Sequence, residues 1–375
     1  MKIPFVRIAK RDDISKKKVF GIYAITIALA LIICGIILFA LTKCNPIKIY
    51  STMFYGAFGS QRKIWITIRE TMILLGVALA LTPAFKMKFW NIGGEGQILV
   101  GGIATAAVMI YCGNSFPTWL LFVTMIAASM VSGLIWGIIP AICKAKWKTN
   151  ETLFTLMMNY IALQLTSFFT IFWEHTKGSG SIGIINRGTK AGWLPTSFLS
   201  GIFGEYNFIL NILIILIITV GIAVYVKYTK QGFELSVVGE SENTARYVGI
   251  DVKKVIIRTM AVSGALCGLM GFLIVSGSSH TITTSTADNR GFTAIIVTWL
   301  ARFNPIFMLL ISLLLIFMDQ GAAQIASDYN LNESASDVIT GIILFFILAC
   351  GFFTNYKLIF RHSAKETNYE KSIVK

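Results

Sequence analysis

The stretch FILNILIILIITVGIAVYV, residues 208–226, decides the fold class of this 375-residue chain. It contains no charged side chain, and it is long enough to cross a bilayer, which takes about 20 residues of α-helix. Similar apolar blocks recur along the chain, which is 55% hydrophobic and 14% charged, against about 25% charged residues in ordinary soluble domains. A soluble enzyme, a disordered chain and a secreted disulfide scaffold are therefore poor interpretations.

The apolar blocks predict an all-α, polytopic membrane bundle of about ten transmembrane helices. This domain covers residues 19–354, between a basic N-terminal segment 1–18 and a basic C-terminal tail 355–375. The predicted spans lie at about 19–41, 65–85, 97–111, 117–143, 152–172, 207–228, 258–276, 291–302, 305–323 and 336–354.

The distribution of Lys and Arg predicts that both termini are cytoplasmic. Seven basic residues lie in 1–18, six in 227–258 and five in 355–375, whereas 319–337 has none. Cytoplasmic loops carry an excess of Lys and Arg, so this bias agrees with an even number of spans. The loop 42–64 has four basic residues and is placed outside, against this statistical rule. The net charge of +15 reflects this topology, and nucleic-acid binding is not expected.

The sequence contains no motif that predicts catalysis or cofactor binding. Residues 178–183 fit GxGxxG, but they lie in a polar loop with no preceding strand, so the match is interpreted as chance. The pattern GxxxxGK[ST] is absent, so the chain is not expected to bind ATP through a phosphate loop of its own. The three histidines lie far apart and the six cysteines form no CxxC pair, so no metal site is predicted. An intramembrane enzyme, one alternative function, would need a paired acid and base or a metal set, and neither is found.

Two short spans each follow a polar stretch that contains glycine. Asn91-Ile92-Gly93-Gly94-Glu95-Gly96-Gln97 precedes one, and Asp288-Asn289-Arg290-Gly291 precedes the other. Paired interruptions point to a transport pathway, and irregular backbone at membrane depth must be buried in protein or line a cavity. The three glycines in the first stretch disfavour a regular helix and allow a tight turn or a close backbone approach. Glu95 is either a pathway or hinge residue, or a carboxylate in an interfacial turn beside the next helix dipole.

A short helix is predicted in the cytoplasmic loop 229–257. Ser241 can cap this helix, and Gly249 can end it in a left-handed conformation. Ala245 and Val248 are three residues apart and would form an apolar patch on the exposed face. The segment is therefore either a docking surface or an ordinary polar loop.

The following span has a nearly bare face. Gly264 and Gly268 are four residues apart, and Gly271 is three further on. Small residues at this spacing predict that another helix approaches closely.

Four blocks of the sequence occur in order over about residues 60–350: NIGGEGQ at 91–97, TNETLFTLMMNYIA at 149–162, the stretch 239–271, and 291–305, from GFTAI to Asn304-Pro305. Together they resemble the permease subunits of bacterial ABC importers for nucleosides and simple sugars. These subunits belong to the wider family of ribose and branched-chain amino-acid permeases.

The resemblance implies a transport subunit in the bacterial cytoplasmic membrane, in contact with membrane lipid and without a cofactor. Its partners would be a separate ATP-binding subunit, a second homologous permease and an extracytoplasmic substrate-binding lipoprotein. The solute would be a nucleoside or a related simple sugar. The alternative is an ion-coupled secondary transporter of small polar solutes, whose only candidate coupling residues are Glu95 and Glu70.

The resemblance also assigns roles to two sets of residues. Residues 240–248 would form the coupling helix against the ATPase, and the candidates are Glu240, Glu242, Asn243, Thr244, Ala245, Arg246 and Tyr247. The candidates that would line or shape the solute path are Asn91, Glu95, Gln97, Asn159 and Thr293.

Overall fold

The computed structural model describes residues 45–196 and 207–330, together with residues 198 and 200–203, the strands β1 (Val6–Lys10) and β2 (Tyr356–Phe360), and single residues within 21–40 and 338–349. The predicted spans 19–41 and 336–354, and most of the two terminal segments, lie outside the described residues. The chain divides into two compact units, one of residues 1–56 with 318–375 and one of residues 57–317.

Twelve α-helices are seen in the part of the chain that the structure describes. They are α1 (Pro46–Phe58), α2 (Gln61–Lys86), α3 (Gly94–Cys112), α4 (Thr118–Trp147), α5 (Glu151–Phe172), α6 (Ser200–Phe203), α7 (Ile209–Tyr228), α8 (Lys230–Glu240), α9 (Glu242–Tyr247), α10 (Val252–Ile274), α11 (Arg290–Leu300) and α12 (Pro305–Asp328). A π-helix, Val275–Ser279, continues α10.

Seven of these helices are long and apolar enough to cross a membrane, counting only the described residues: α2, α3, α4, α5, α7, α10 with its π-helix, and α12. The shorter apolar helix α11 has 11 residues. All eight coincide with predicted spans, so the helical class is confirmed for this part of the chain. The number of about ten spans remains a prediction.

Helices α1, α6 and α8 and the two strands are absent from the sequence prediction. In the unit of residues 1–56 with 318–375, β1 pairs antiparallel with β2, with Val6 opposite Phe360. The all-α class is therefore incomplete, since the terminal segments include a two-stranded ladder. Because a backbone ladder requires both strands on one side of a membrane, the pairing agrees with termini on the same side.

Helix α10 packs against α2, α3 and α4 in the unit of residues 57–317. A Cβ atom at Gly264 would overlap the carbonyl oxygen of Gly133 on α4, and one at Gly268 would overlap that of Ser129. A carbonyl of α3 opposes Gly271 in the same way. The prediction that this bare face admits close helix approach is therefore confirmed.

Replacing Gly268 with alanine is expected to lower the free energy of unfolding by about 1–3 kcal/mol, because the added methyl group overpacks the α4–α10 contact. Thermal unfolding of the detergent-solubilised protein measures the loss. Gly221→Ala on α7 is the control, because a Cβ there meets nothing within 4 Å. That variant is expected to be neutral or slightly stabilised, since alanine favours helix over glycine. Equal losses in both variants would contradict the packing explanation.

Candidate functional site

The polar segment 91–97 is buried and is held by side-chain amides. Asn91 and Gln97 are 0% and 1% exposed, and their amides face each other at 3.4 Å in both donor directions. Asn91 also accepts the N–H of Gly93 at 3.0 Å and donates to the Ser263 hydroxyl of α10 at 3.4 Å. These bonds tie the segment to α10.

Asn159 on α5 holds the same segment from the other side. Its Nδ2 donates to the carbonyl of Ile92 at 2.9 Å, and its Oδ1 accepts the N–H of Gly96 at 2.9 Å. The side chain is 3% exposed. Buried backbone groups outside regular structure need such partners, so Asn159 replaces hydrogen bonds that this part of the segment lacks.

Residues 94–97 form the first turn of α3, so the expectation that the glycines disfavour a regular helix is wrong for these positions. The other use expected of them, a close approach, is the one that the structure shows. A Cβ at Gly96 would lie 2.9 Å from Oδ1 of Asn159 and 3.1 Å from Cβ of Ala162. The sequence pattern alone does not separate these two uses of glycine.

The Glu95 carboxylate caps the N-terminus of α11. Its Oε1 accepts the N–H of Asn289 at 2.9 Å, and its Oε2 accepts the N–H of Gly291 at 2.8 Å. Asn289, the N-cap residue with φ 54°, makes no side-chain cap of its own. An anionic group is favourable at a helix N-terminus, so the two predicted interruptions meet at this carboxylate.

A buried ionic group lies beside this junction. Glu70 on α2 accepts from Arg290 at 2.8 Å and pairs with Arg69, and its side chain is 7% exposed. Arg290 also lies 3.4 Å from Asp288, which is 62% exposed. Sequence reasoning singled out Glu70 only as an ion-coupling candidate. The signal for the group was present, since Arg69 and Glu70 fall inside an apolar span where ionisable residues need partners.

Thr293 lies in the second turn of α11 and is half-buried. Its N–H bonds to the carbonyl of Asn289 at 3.0 Å, directly beside the Glu95 cap. The structure therefore brings all five predicted pathway residues to the junction of α3, α5 and α11.

The predicted cytoplasmic helix is present as α9. The Ser241 hydroxyl accepts the N–H of Thr244 at 3.2 Å, and Gly249 has φ +80°, so both predicted ends of the helix are confirmed. Tyr247 is 93% exposed. The remaining exposed candidates on this segment are Glu240, Glu242, Asn243, Thr244 and Arg246.

Ala245 is not part of the exposed patch that the spacing predicts. It is 0% exposed and belongs to a hydrophobic cluster with Leu235, Met87 and Phe89, whereas Val248 is 61% exposed. The prediction fails because a six-residue helix shows too little periodicity to indicate which face is covered.

The segment after α9 is fixed to the start of α10 by Asp251. Its carboxylate accepts the N–H groups of Lys253 at 3.1 Å and Lys254 at 3.2 Å. The bond from the Lys254 backbone holds the pKa of Asp251 below its usual value.

The module formed by α8 and α9 shares its core with the segment that leads to Asn91. Leu235 and Ala245 pack in one cluster with Met87 and Phe89. Gly239 of α8 lies so close to the carbonyl of Lys86 that a Cβ would overlap it. A displacement of α8 and α9 would therefore shift the chain immediately before the polar segment.

A helical membrane chain with a buried junction of broken helices and a short exposed helix has the features of a transport component. The chain belongs to the family described as branched-chain amino acid transport system / permease component, which matches residues 64–348. The resemblance drawn from the four sequence blocks is confirmed. The protein is a multi-pass membrane permease component of the ABC transporter class, not an enzyme.

Three relatives share most of their length with this chain. The guanosine ABC transporter permease protein NupP of Bacillus subtilis is 29% identical over 301 residues, which cover 80% of this chain and 84% of the relative. The nucleoside ABC transporter permease protein NupB of Lactococcus lactis is 30% identical over 313 residues, 81% and 84% of the two chains. The glucose ABC transporter permease protein TsgB13 of Haloferax volcanii is 27% identical over 346 residues, 90% of each chain.

Proposed function

We propose that this chain is the transmembrane subunit of an ABC importer, in a bacterial cytoplasmic membrane, that forms the pathway for a nucleoside or a related simple sugar. The observation that carries the proposal is the family match over residues 64–348. Relatives named for guanosine, nucleoside and glucose transport support the class of solute.

The proposed topology has about ten spans and two cytoplasmic ends. Seven spanning helices and α11 account for eight crossings or part-crossings among the described residues. The apolar blocks 19–41 and 336–354 supply the other two. An even number is supported by the β1–β2 pairing, which requires both ends on one side of the membrane.

The junction residues are proposed to shape the solute path by fixing α3 and α11. The polar atoms of Asn91, Gln97 and Asn159 form hydrogen bonds within the chain, and the Glu95 carboxylate accepts backbone N–H groups at the N-terminus of α11. Such bonds hold broken helices at depth, where lipid offers no hydrogen-bond partner. Thr293, half-buried at the same place, is the fifth member of the set.

The α8–α9 module is the proposed docking point for the ATPase subunit. The exposed candidates of residues 240–247 would contact the motor, and the buried Ala245 would pass its displacement to Met87 and Phe89. A second homologous permease and an extracytoplasmic substrate-binding lipoprotein would complete the importer, in contact with membrane lipid.

The direct test deletes the ATPase subunit in a strain that keeps this chain in its membrane. Uptake of labelled guanosine and glucose is then measured in parallel with the parent strain. Loss of uptake with unchanged membrane content of the permease is expected. Continued uptake would contradict the proposal that this chain belongs to an ATP-driven importer and would favour the ion-coupled transporter.

Replacing Tyr247 with alanine is expected to reduce co-purification of the ATPase subunit about tenfold or more, because buried aromatic anchors dominate such interfaces. The thermal stability of the permease should stay within about 0.5 kcal/mol, since the side chain is 93% exposed. Tyr111→Ala is the control, at 62% exposure on the opposite end of the membrane domain in the proposed topology. Equal recovery of the ATPase with both variants would argue against docking at α9.

A further inference from the structure

The segment that joins the π-helix to α11 is rich in hydroxyl groups and is not helical. Five of the ten residues 280–289 are Ser or Thr. After the π-helix ends at Ser279, the chain runs through turns and bends as far as Asn289. The buried residues Ile282, Thr286 and Ala287 anchor this stretch, and the Thr286 hydroxyl accepts the N–H of Thr283 at 2.8 Å.

This hydroxyl segment begins at one end of the unit of residues 57–317. The carbonyl of His280 accepts the N–H of Ile185, and the carbonyl of Ser276 accepts that of Leu194, both at 2.9 Å. The His280 ring stacks on Trp193 with 3.9 Å between centroids. The segment therefore starts beside the long loop between α5 and α7, away from the α8–α9 module.

The far end of α11 lies near the module instead. Trp299 contacts Phe85 and Trp90, with centroid distances of 6.1 Å and 5.2 Å, and Gly239 of α8 packs on the neighbouring Lys86. The chain thus crosses the unit between residues 280 and 300. The 11 residues of α11 give about 16 Å of this crossing, against a hydrocarbon thickness of about 30 Å. Residues 280–289 must cover the remainder at membrane depth.

Non-helical backbone at membrane depth is stable only when it is buried in protein or lines water. Thr284 and Ser285 are exposed, and they belong to the middle of this stretch. Exposed polar side chains at this depth would be unfavourable against lipid. The exposed side of the segment therefore faces a water-filled space.

We infer that residues 283–286 line the outer half of the solute path and that their hydroxyls bond the hydroxyl groups of the solute. The stretch offers neutral donors and acceptors, and Thr283 and Ser285 already exchange a hydrogen bond at 2.9 Å. The ribose of a nucleoside or the ring of a simple sugar presents matching hydroxyl groups. Glu95, by capping α11, fixes the inner end of this lining. The solute class rests on the proposed function, whereas water access to the segment does not.

The test is thiol labelling of Ser285→Cys in the full chain assembled with its partners in membranes. A charged, membrane-impermeant maleimide is applied from outside, and labelling of the parent chain gives the contribution of the native cysteines. Ile217→Cys is the matched control, because Ile217 is 72% exposed in the middle of the apolar helix α7. We expect Ser285→Cys to react and Ile217→Cys to remain unlabelled.

Solute protection tests the contact itself. Guanosine or glucose, whichever the parent complex takes up, should slow labelling of Ser285→Cys about tenfold at ten times its half-saturating concentration, by simple occupancy. An unreactive Ser285→Cys in a complex that still transports overturns the inference and leaves the proposed function standing. Labelling that the transported solute does not slow also overturns it. If the parent takes up neither solute, the proposed solute class fails, and labelling without solute still decides whether the segment lies in water.

Discussion

Glu95→Ala is expected to lower the free energy of unfolding by roughly 2–6 kcal/mol and to abolish uptake. The side chain is 6% exposed and accepts two backbone N–H groups, from Asn289 and Gly291. Its removal leaves the buried N–H of Gly291 and the part-buried N–H of Asn289 without an acceptor, at about 1–3 kcal/mol each. The N-terminus of α11 then loses its cap, so the junction with α3 should no longer hold its geometry. Thermal unfolding in detergent and uptake in whole cells measure the two effects.

Glu174→Ala provides a control that removes the same kind of hydrogen bonds at a solvent-exposed position. The Glu174 carboxylate also accepts two backbone N–H groups, those of Gly178 at 2.8 Å and Gly180 at 3.1 Å, in an exposed loop. Water can replace the lost acceptor there, so we expect a change within about 0.5 kcal/mol. Glu95→Gln should fall between the two, because the amide oxygen can replace only one of the two carboxylate acceptors. Equal losses for Glu95→Ala and Glu174→Ala would show that burial is not the cause.

The spanning helices are predictable from the sequence because their signal is local. A block such as residues 208–226 is apolar throughout, and its length alone matches the membrane. The bare face of Gly264 and Gly268 is equally local, since a four-residue spacing places both glycines on one side of a helix. The caps at Ser241 and Gly249 also follow from residue type and position.

The sequence does not reveal which residues far apart along the chain contact each other. Glu95 and Gly291 are 196 residues apart, and nothing in either local pattern indicates that one caps the other. The same holds for Asn159, which bonds Ile92 across 67 residues. The predicted exposure of Ala245 was wrong for a similar reason, because its burial depends on Leu235 and Met87 rather than on α9 itself. Local patterns therefore pointed to the stretches 91–97 and 288–291, the family resemblance added Asn159 and Thr293, and neither indicated the bonds among these residues.

The burial of Ala245 also changes how docking at α9 must be tested. A large acidic residue at this position would disrupt the cluster that includes Met87 and Phe89, so lost coupling would not report on contact with the ATPase. Tyr247 separates the two effects, because its side chain is exposed while the core beneath it stays intact.

Glu70→Ala is expected to cost about 3–5 kcal/mol, because it leaves Arg69 and Arg290 as buried charges without their shared carboxylate. Asp288→Ala is the matched control, since it removes the other carboxylate near Arg290, one that is 62% exposed. An exposed pair of this kind is worth about 0–1 kcal/mol. Thermal unfolding of both variants in the same detergent measures the difference.

Arg290→Ala distinguishes the contribution of the Glu70 ion pairs from the contribution of the N-terminal cap of α11. Glu70 keeps Arg69 in this variant, so only one cation is lost and no charge remains alone. The cap of α11 should persist, because Glu95 bonds the backbone N–H of Gly291 and not the Arg290 side chain. Arg290→Ala is therefore expected to destabilise the protein less than Glu70→Ala. The reverse order would mean that the arginine is needed chiefly to place α11, and that Glu70 is secondary to that role.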